Sequence, residues 1–281
     1  MSEEQRVADR TAEWKHAACY WLLAVLFSWT WWGFHLYPAW SRALMTGQPV
    51  TSADVSGVVV SLGMFGPVLS ALLMQWRSPG LRVPLGLGRT QRWRNLAVAA
   101  VVPAGAVFVA VAVIQAVGWG RFTWAGDQPV VVLLTLLPIA IVATLTAAGE
   151  EYGWRGYMLT RLWPAGRNRA TVVVGVAWGL WHLPIVASGL TYPGLAVVIA
   201  VPVFILCTVL LSFWFTRVFM LPGGGFVVAA ISHGVLNAGS ELTSSRHLPD
   251  VAPVLSNPFG ILVAVILFAA ARTARRRHKV S

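Results

Sequence analysis

The chain is 281 residues long, 57% of them hydrophobic and only 11% charged, with a formal net charge of +11. A soluble globular domain carries about 25% charged residues, so this composition excludes an ordinary cytosolic enzyme and makes a membrane the expected solvent. Nucleic-acid binding would set basic residues among a normal number of acids; with 10 Asp plus Glu and so high an apolar fraction, nucleic acid is excluded as a partner.

Residues 1–16 mix Glu3, Glu4, Asp9 and Glu13 with Arg6, Arg10 and Lys15, too acidic and too long for a signal-peptide n-region. They are expected to form a cytoplasmic tail, and the first apolar run is expected to stay in the mature protein. A spanning helix needs about 20 mainly apolar residues. Runs of this kind lie at 17–36, 55–76, 96–117, 130–149, 170–188, 195–215, 226–240 and 257–271. The seventh is short and bordered by glycine, which also fits a re-entrant or half-buried helix. Cys19 and Cys207 both sit inside apolar runs, so neither a disulfide framework nor a CxxC metal pair is expected.

The loops give an independent check, because cytoplasmic loops retain Lys and Arg. With the N-terminus inside, every one of the 21 Lys and Arg except Arg42, Arg121 and Arg246 falls on the inner side. The expected fold is therefore all-α: a polytopic membrane bundle of about eight transmembrane helices, both termini cytoplasmic. One membrane domain, 17–271, is followed by a basic cytoplasmic tail, 272–281, suited to anionic lipids. Trp31, Trp32, Trp76, Trp93, Trp119 and Trp124 lie near run ends, where interfacial belts are expected.

An ionisable side chain in hydrocarbon costs on the order of 3 kcal/mol, so each calls for a partner or a function. Of the 10 acids, all but Glu150 and Glu151 lie in the tail or the outer loops. These two open the string Glu150-Glu151-Tyr152-Gly153-Trp154-Arg155. On a helix Glu151 and Arg155 share a face and Glu150 points away, leaving one carboxylate paired and one unpaired. Two of the 6 histidines are deep: His182, one turn after Trp178, and His233, one turn before Asn237. Each polar pair alone is an ordinary helix-packing contact. Three on three apolar helices must converge to be satisfied. Gly175 and Gly179 form a GxxxG spacing that admits a close neighbour to the His182 helix.

A carboxylate and a histidine in a low-dielectric cavity can hold a water and take its proton, which casts Glu150 and His182 as a general-base pair. Attack on a peptide carbonyl develops charge on oxygen, and His233 with the Asn237 amide are suitable donors to it. Glu151, Arg155 and Trp178 would orient these groups.

EExxxR, then an aromatic-xxx-His, then HxxxN, in that order on separate apolar runs, resembles the CPBP intramembrane proteases, which include type II CAAX prenyl endopeptidases and bacteriocin-processing or immunity (Abi-like) proteins. The match runs from Glu150 to Asn237, with Trp178 where the family often shows Phe. The resemblance implies an endopeptidase with its core in 130–240 that cuts a membrane-bound or lipidated peptide, Glu150 and His182 activating water and His233 and Asn237 forming the oxyanion hole. It favours a mechanism without metal or other cofactor. Glu150, His182 and His233 are also a His2Glu zinc set, although no HExxH string occurs. A transporter and a noncatalytic immunity or scaffold protein stay open as other classes. The Arg-rich composition points to a GC-rich bacterial source and hence to the plasma membrane.

Overall fold

The computed structural model describes residues 3–47, 50–51, 53–78, 83–84, 86, 92–239, 242–244, 246–256 and 260–277, and among them every regular element is helical. Helix α1 (Glu3–Thr46) is followed by α2 (Gly57–Gly63), α3 (Gly66–Arg77), α4 (Arg92–Ala116) and α5 (Pro129–Glu151). The chain continues from α5 through a π-helical stretch (Tyr152–Leu159), the single turn α6 (Thr160–Leu162) and a 3-10 turn (Trp163–Ala165). Then come α7 (Arg167–Trp181), α8 (Leu183–Ala187), α9 (Val197–Phe219), α10 (Phe226–Gly239), α11 (Pro253–Ser256) and α12 (Ile261–Arg277).

All eight apolar runs carry helix, and the protein is a polytopic helical membrane protein. Among the described residues five helical stretches are long and apolar enough to cross a membrane: Glu13–Thr46, Gly57–Arg77, Trp93–Ala116, Pro129–Ala165 and Val197–Phe219. The other three carry shorter helices, as the seventh run, short and bordered by glycine, leads one to expect; the fifth is shorter than expected because it divides into α7 and α8. Helix α7 has 15 residues and α10 has 14, and at ~1.5 Å per residue neither reaches the ~30 Å of a hydrocarbon core. Residue 240, which closes the seventh run, residues 257–259, which open the eighth, residues 278–281 of the basic tail, and Glu241 lie outside the described residues.

The polar start of the chain is helical from Glu3 and continuous with the first span, not a separate extension. This stretch is tied down by the Arg161–Glu13 ion pair at 3.2 Å and by Arg169 over the Trp14 ring at 5.5 Å.

The second run folds as two helices because Pro67 lacks the N–H that would return to the Gly63 carbonyl four residues earlier. The Ser28 hydroxyl of α1 donates to that carbonyl instead, at 2.7 Å. Beside it Trp32 departs from its expected interfacial place: it is fully buried, its indole N–H donating to the Val60 carbonyl at 3.0 Å. A side chain at Gly63 would overlap that indole, so the glycine is what lets Trp32 in.

Two close helix crossings set the frame of the site. Helix α7 packs on α9 through Gly175 and Gly179, where an added Cβ would stand 2.6 Å from Val209 Cα and 2.6 Å from Thr208 Oγ1. Helix α10 packs on α5 through Gly234, where a Cβ would meet the Thr144 backbone nitrogen at 2.5 Å. Small residues at such crossings bring backbones together where burial of apolar surface supplies no driving force.

Candidate active site

The end of α5 hands its two adjacent carboxylates to different neighbours. Glu150 Oε2 accepts the indole N–H of Trp178 on α7 at 2.8 Å. Glu151 Oε1 accepts Arg155 Nη1 at 2.8 Å and lies 2.9 Å from His233 Nδ1 on α10. Successive helical side chains diverge by ~100°, so one residue's difference in position sends the carboxylates to different helices. Glu150, Glu151, Arg155, Trp178 and His233 are all buried. The unpaired Glu150 expected from the helical spacing is therefore corrected: one of its oxygens is engaged. An indole N–H is a donor only, and a buried one requires an acceptor.

Arg155 lies within the π-helical stretch, the kind of local widening that recurs at functional sites. Its Nη2 donates to Ser212 Oγ of α9 at 3.0 Å, and its guanidinium carbon lies 4.8 Å from the centre of the Trp178 ring and 4.9 Å from that of Phe215. Phe215 stacks in turn on His233, with ring centres 5.0 Å apart. Neither Ser212 nor Phe215 belonged to the expected set. Ser212 carries a weak signal, a hydroxyl within the apolar α9; Phe215 has none in the sequence.

His182 sits at the break between α7 and α8, where Pro184 prevents continuation of the α7 hydrogen-bond ladder. Its backbone N–H turns to the Gly179 carbonyl at 3.2 Å, and the Trp178 carbonyl is 3.0 Å from the ring Nδ1. A carbonyl can only accept, so Nδ1 carries hydrogen and Nε2 is the basic nitrogen of the neutral ring. The ring is packed among Trp181, Phe204 and Trp178, with centres 4.5, 5.1 and 5.8 Å away.

Trp178 thus touches four ionisable members of the cluster. It hydrogen-bonds Glu150, offers its carbonyl to His182, lies beneath Arg155 and meets the His233 ring edge-on at 5.4 Å. Asn237 stands one turn beyond His233 on α10, and its Oδ1 is buried without a hydrogen-bond partner among the described residues.

The zinc alternative meets the same geometry. Glu150 Oε2 is engaged by Trp178, and the Nδ1 atoms of His182 and His233 by a carbonyl and a carboxylate. Among the described residues no three His, Cys, Asp or Glu side chains form a group that could hold a metal ion. Hydrogen bonds from Nδ1 to a carbonyl or a carboxylate are also how zinc-binding imidazoles are oriented, so the contacts of His182 and His233 are compatible with either reading.

These residues all lie in a stretch that known proteins share. Residues 130–239 match the family model of the type II CAAX prenyl endopeptidases, Rce1-like. This stretch is similar to those endopeptidases. It runs from α5 to α10 and holds the EExxxR, aromatic-xxx-His and HxxxN strings that carried the resemblance. The CAAX prenyl protease 2 of Methanococcus maripaludis is 33% identical over 57 residues, which make up 20% of this chain and 21% of that protein. The match therefore spans about a fifth of that relative's length. Helices α1 to α4, with α11 and α12, fall outside the Rce1-like stretch.

Proposed function

We propose that the protein is an intramembrane endopeptidase that hydrolyses a peptide bond in a membrane-bound or lipidated substrate. The observation that carries this reading is the meeting of Glu150, His182 and His233 around one buried indole, on helices whose other residues are mostly apolar. The Rce1-like match of residues 130–239 supports the same class of activity.

In this mechanism a water bound between Glu150 and His182 Nε2 loses a proton to Glu150 as its oxygen attacks the peptide carbonyl. The negative oxygen accepts hydrogen bonds from His233 Nε2–H and the Asn237 amide. As the tetrahedral intermediate collapses, the C–N bond breaks and Glu150 returns the proton to the leaving amine. No metal or other cofactor enters these steps.

Charge bookkeeping agrees with the donor role of His233. Its Nδ1 hydrogen goes to Glu151, so its Nε2 can donate only if the ring carries both protons. Glu150 and Glu151 are then balanced by Arg155 and His233, and the buried cluster is neutral, as burial demands. The distribution of basic residues supports a cytoplasmic position for both termini, with the site opening to the inner leaflet and the basic tail 272–281 on anionic lipids.

The test is cleavage of a membrane-anchored reporter peptide by the purified full chain in proteoliposomes, with product ends identified by mass spectrometry. Cleavage that persists after chelation and is lost in both His182→Ala and His233→Ala is expected. Cleavage abolished by chelation and restored by zinc would overturn the metal-free mechanism.

A further inference from the structure

Helix α1 lies outside the Rce1-like stretch, yet indole hydrogen bonds tie it to the end of α7, where His182 stands. Trp21 Nε1 donates to the Ala177 carbonyl at 2.9 Å and Trp29 Nε1 to the Trp181 carbonyl at 2.8 Å. In return Trp181 Nε1 donates to the Ala24 carbonyl of α1 at 3.3 Å. Trp32, nearly one turn beyond Trp29, packs its ring 4.8 Å from that of Trp181 and 6.4 Å from that of His182.

The two α7 carbonyls that α1 holds are not alike. Ala177 lies within the helix, where the N–H four residues on returns to its carbonyl. Trp181 is the last residue of α7, and the N–H four residues on, that of Ile185, goes to the His182 carbonyl instead, at 2.9 Å. The break before Pro184 thus leaves two carbonyls of the last turn without their helical donors. The His182 ring takes that of Trp178, and Trp29 takes that of Trp181. A backbone carbonyl without a donor is costly inside a bilayer, where no water replaces it. Without the Trp29 N–H, the Trp181 carbonyl would compete for that of Ile185, drawing it off the His182 carbonyl and turning the His182 backbone with it. Packing explains the indole rings; it does not explain a donor placed at the carbonyl that the break exposes.

We infer that Trp29 is a positioning residue for His182: its indole N–H holds the last carbonyl of α7 and so fixes the break that sets the imidazole against the Trp178 carbonyl. A helix outside the Rce1-like stretch thereby helps to shape the site within it. The role of His182 in holding water rests on the proposed protease function; its orientation by Trp29 does not.

Substitutions in the full-length protein test this. Benzothienylalanine at position 29 puts sulfur in place of the indole N–H and keeps the size of the ring. It should lower kcat about tenfold with KM within about twofold, the loss expected for one hydrogen bond. Fluorotryptophan there keeps the N–H and should leave both within about twofold of the wild type. The sulfur analogue at position 21 is the control for packing: the helix still supplies a donor to Ala177, so kcat should change by less than about twofold. Nitrogen NMR of histidine-labelled protein reads the ring without proteolysis. The His182 Nδ1 signal should move with the analogue at position 29, and with Trp29→Phe, which lacks the same donor, and should stay in place with the analogue at position 21. An unmoved His182 signal in either folded position-29 variant, or equal effects from positions 21 and 29, would overturn the inference. A moved signal in a protein that cleaves no peptide would uphold the inference and defeat the protease reading instead.

Discussion

His233 Nδ1 lies 2.9 Å from Glu151 Oε1, and this pair ties the end of α5 to α10 at the level of the site. The same carboxylate oxygen takes Arg155 Nη1 at 2.8 Å, so Glu151 is the acceptor shared by the two cations of the proposed mechanism.

Neutralising Glu151 leaves the buried cluster with one uncompensated positive charge. Glu151→Gln should destabilise the protein by about 3–5 kcal/mol, and Arg155→Met by a similar amount. The double variant Glu151→Gln with Arg155→Met should cost much less than the sum, because residues in one ion-pair network are not additive. Denaturant unfolding in detergent micelles reads all three. Additive losses would mean that the two residues are not coupled.

Trp178 does more than fill space. Its place in the sequence suggests an orienting role that Phe would preserve, but its N–H to Glu150 is a bond no phenylalanine can make. Trp178→Phe should keep the fold and lower kcat about tenfold at nearly constant KM, the loss of one hydrogen bond to a charged group. A rise in KM with kcat intact would assign Trp178 to substrate binding.

The Trp178 carbonyl fixes the hydrogen of His182 on Nδ1. Nitrogen NMR of selectively histidine-labelled protein, with His182→Asn to assign the signal, should show this tautomer for the neutral ring. Hydrogen on Nε2 instead would remove His182 as a hydrogen-bond acceptor that holds the attacking water.

Gly234 sets the spacing between His233 and the end of α5. A methyl group there meets the Thr144 backbone, which cannot rotate aside as a side chain would. Gly234→Ala should destabilise by about 1–3 kcal/mol, the usual cost of overpacking, and reduce cleavage even at temperatures where it stays folded. An equal substitution at Gly105, which has open space around the added Cβ, serves as the control.

Scarcity of charge made much of the site legible. Glu150 and Glu151 stood out as acids in an apolar chain, His182 and His233 as the deep histidines, and the structure brings all four to the Trp178 indole or the Glu151 carboxylate. Helix type was legible along every apolar run for the same reason. Helix length was not. The break before Pro67, the stop of α7 at Trp181 and the π-helical stretch after Glu151 depend on which carbonyls find partners across the bundle, such as Ser28 on Gly63. Nor was the place of Trp32 legible, since an aromatic residue near the end of an apolar run reads the same whether it meets lipid headgroups or a neighbouring helix.

The central claim is that the Glu150 carboxylate takes the proton of the attacking water. Single-turnover cleavage of a membrane-anchored peptide by the wild type and by Glu150→Gln, in the same proteoliposomes, tests it most directly. The amide keeps the size of the side chain and an oxygen for the Trp178 N–H, but it cannot act as a base. A loss of at least about 10²-fold in the cleavage rate, within the range of general-base catalysis, is the predicted result. Cleavage by Glu150→Gln at the wild-type rate would contradict it.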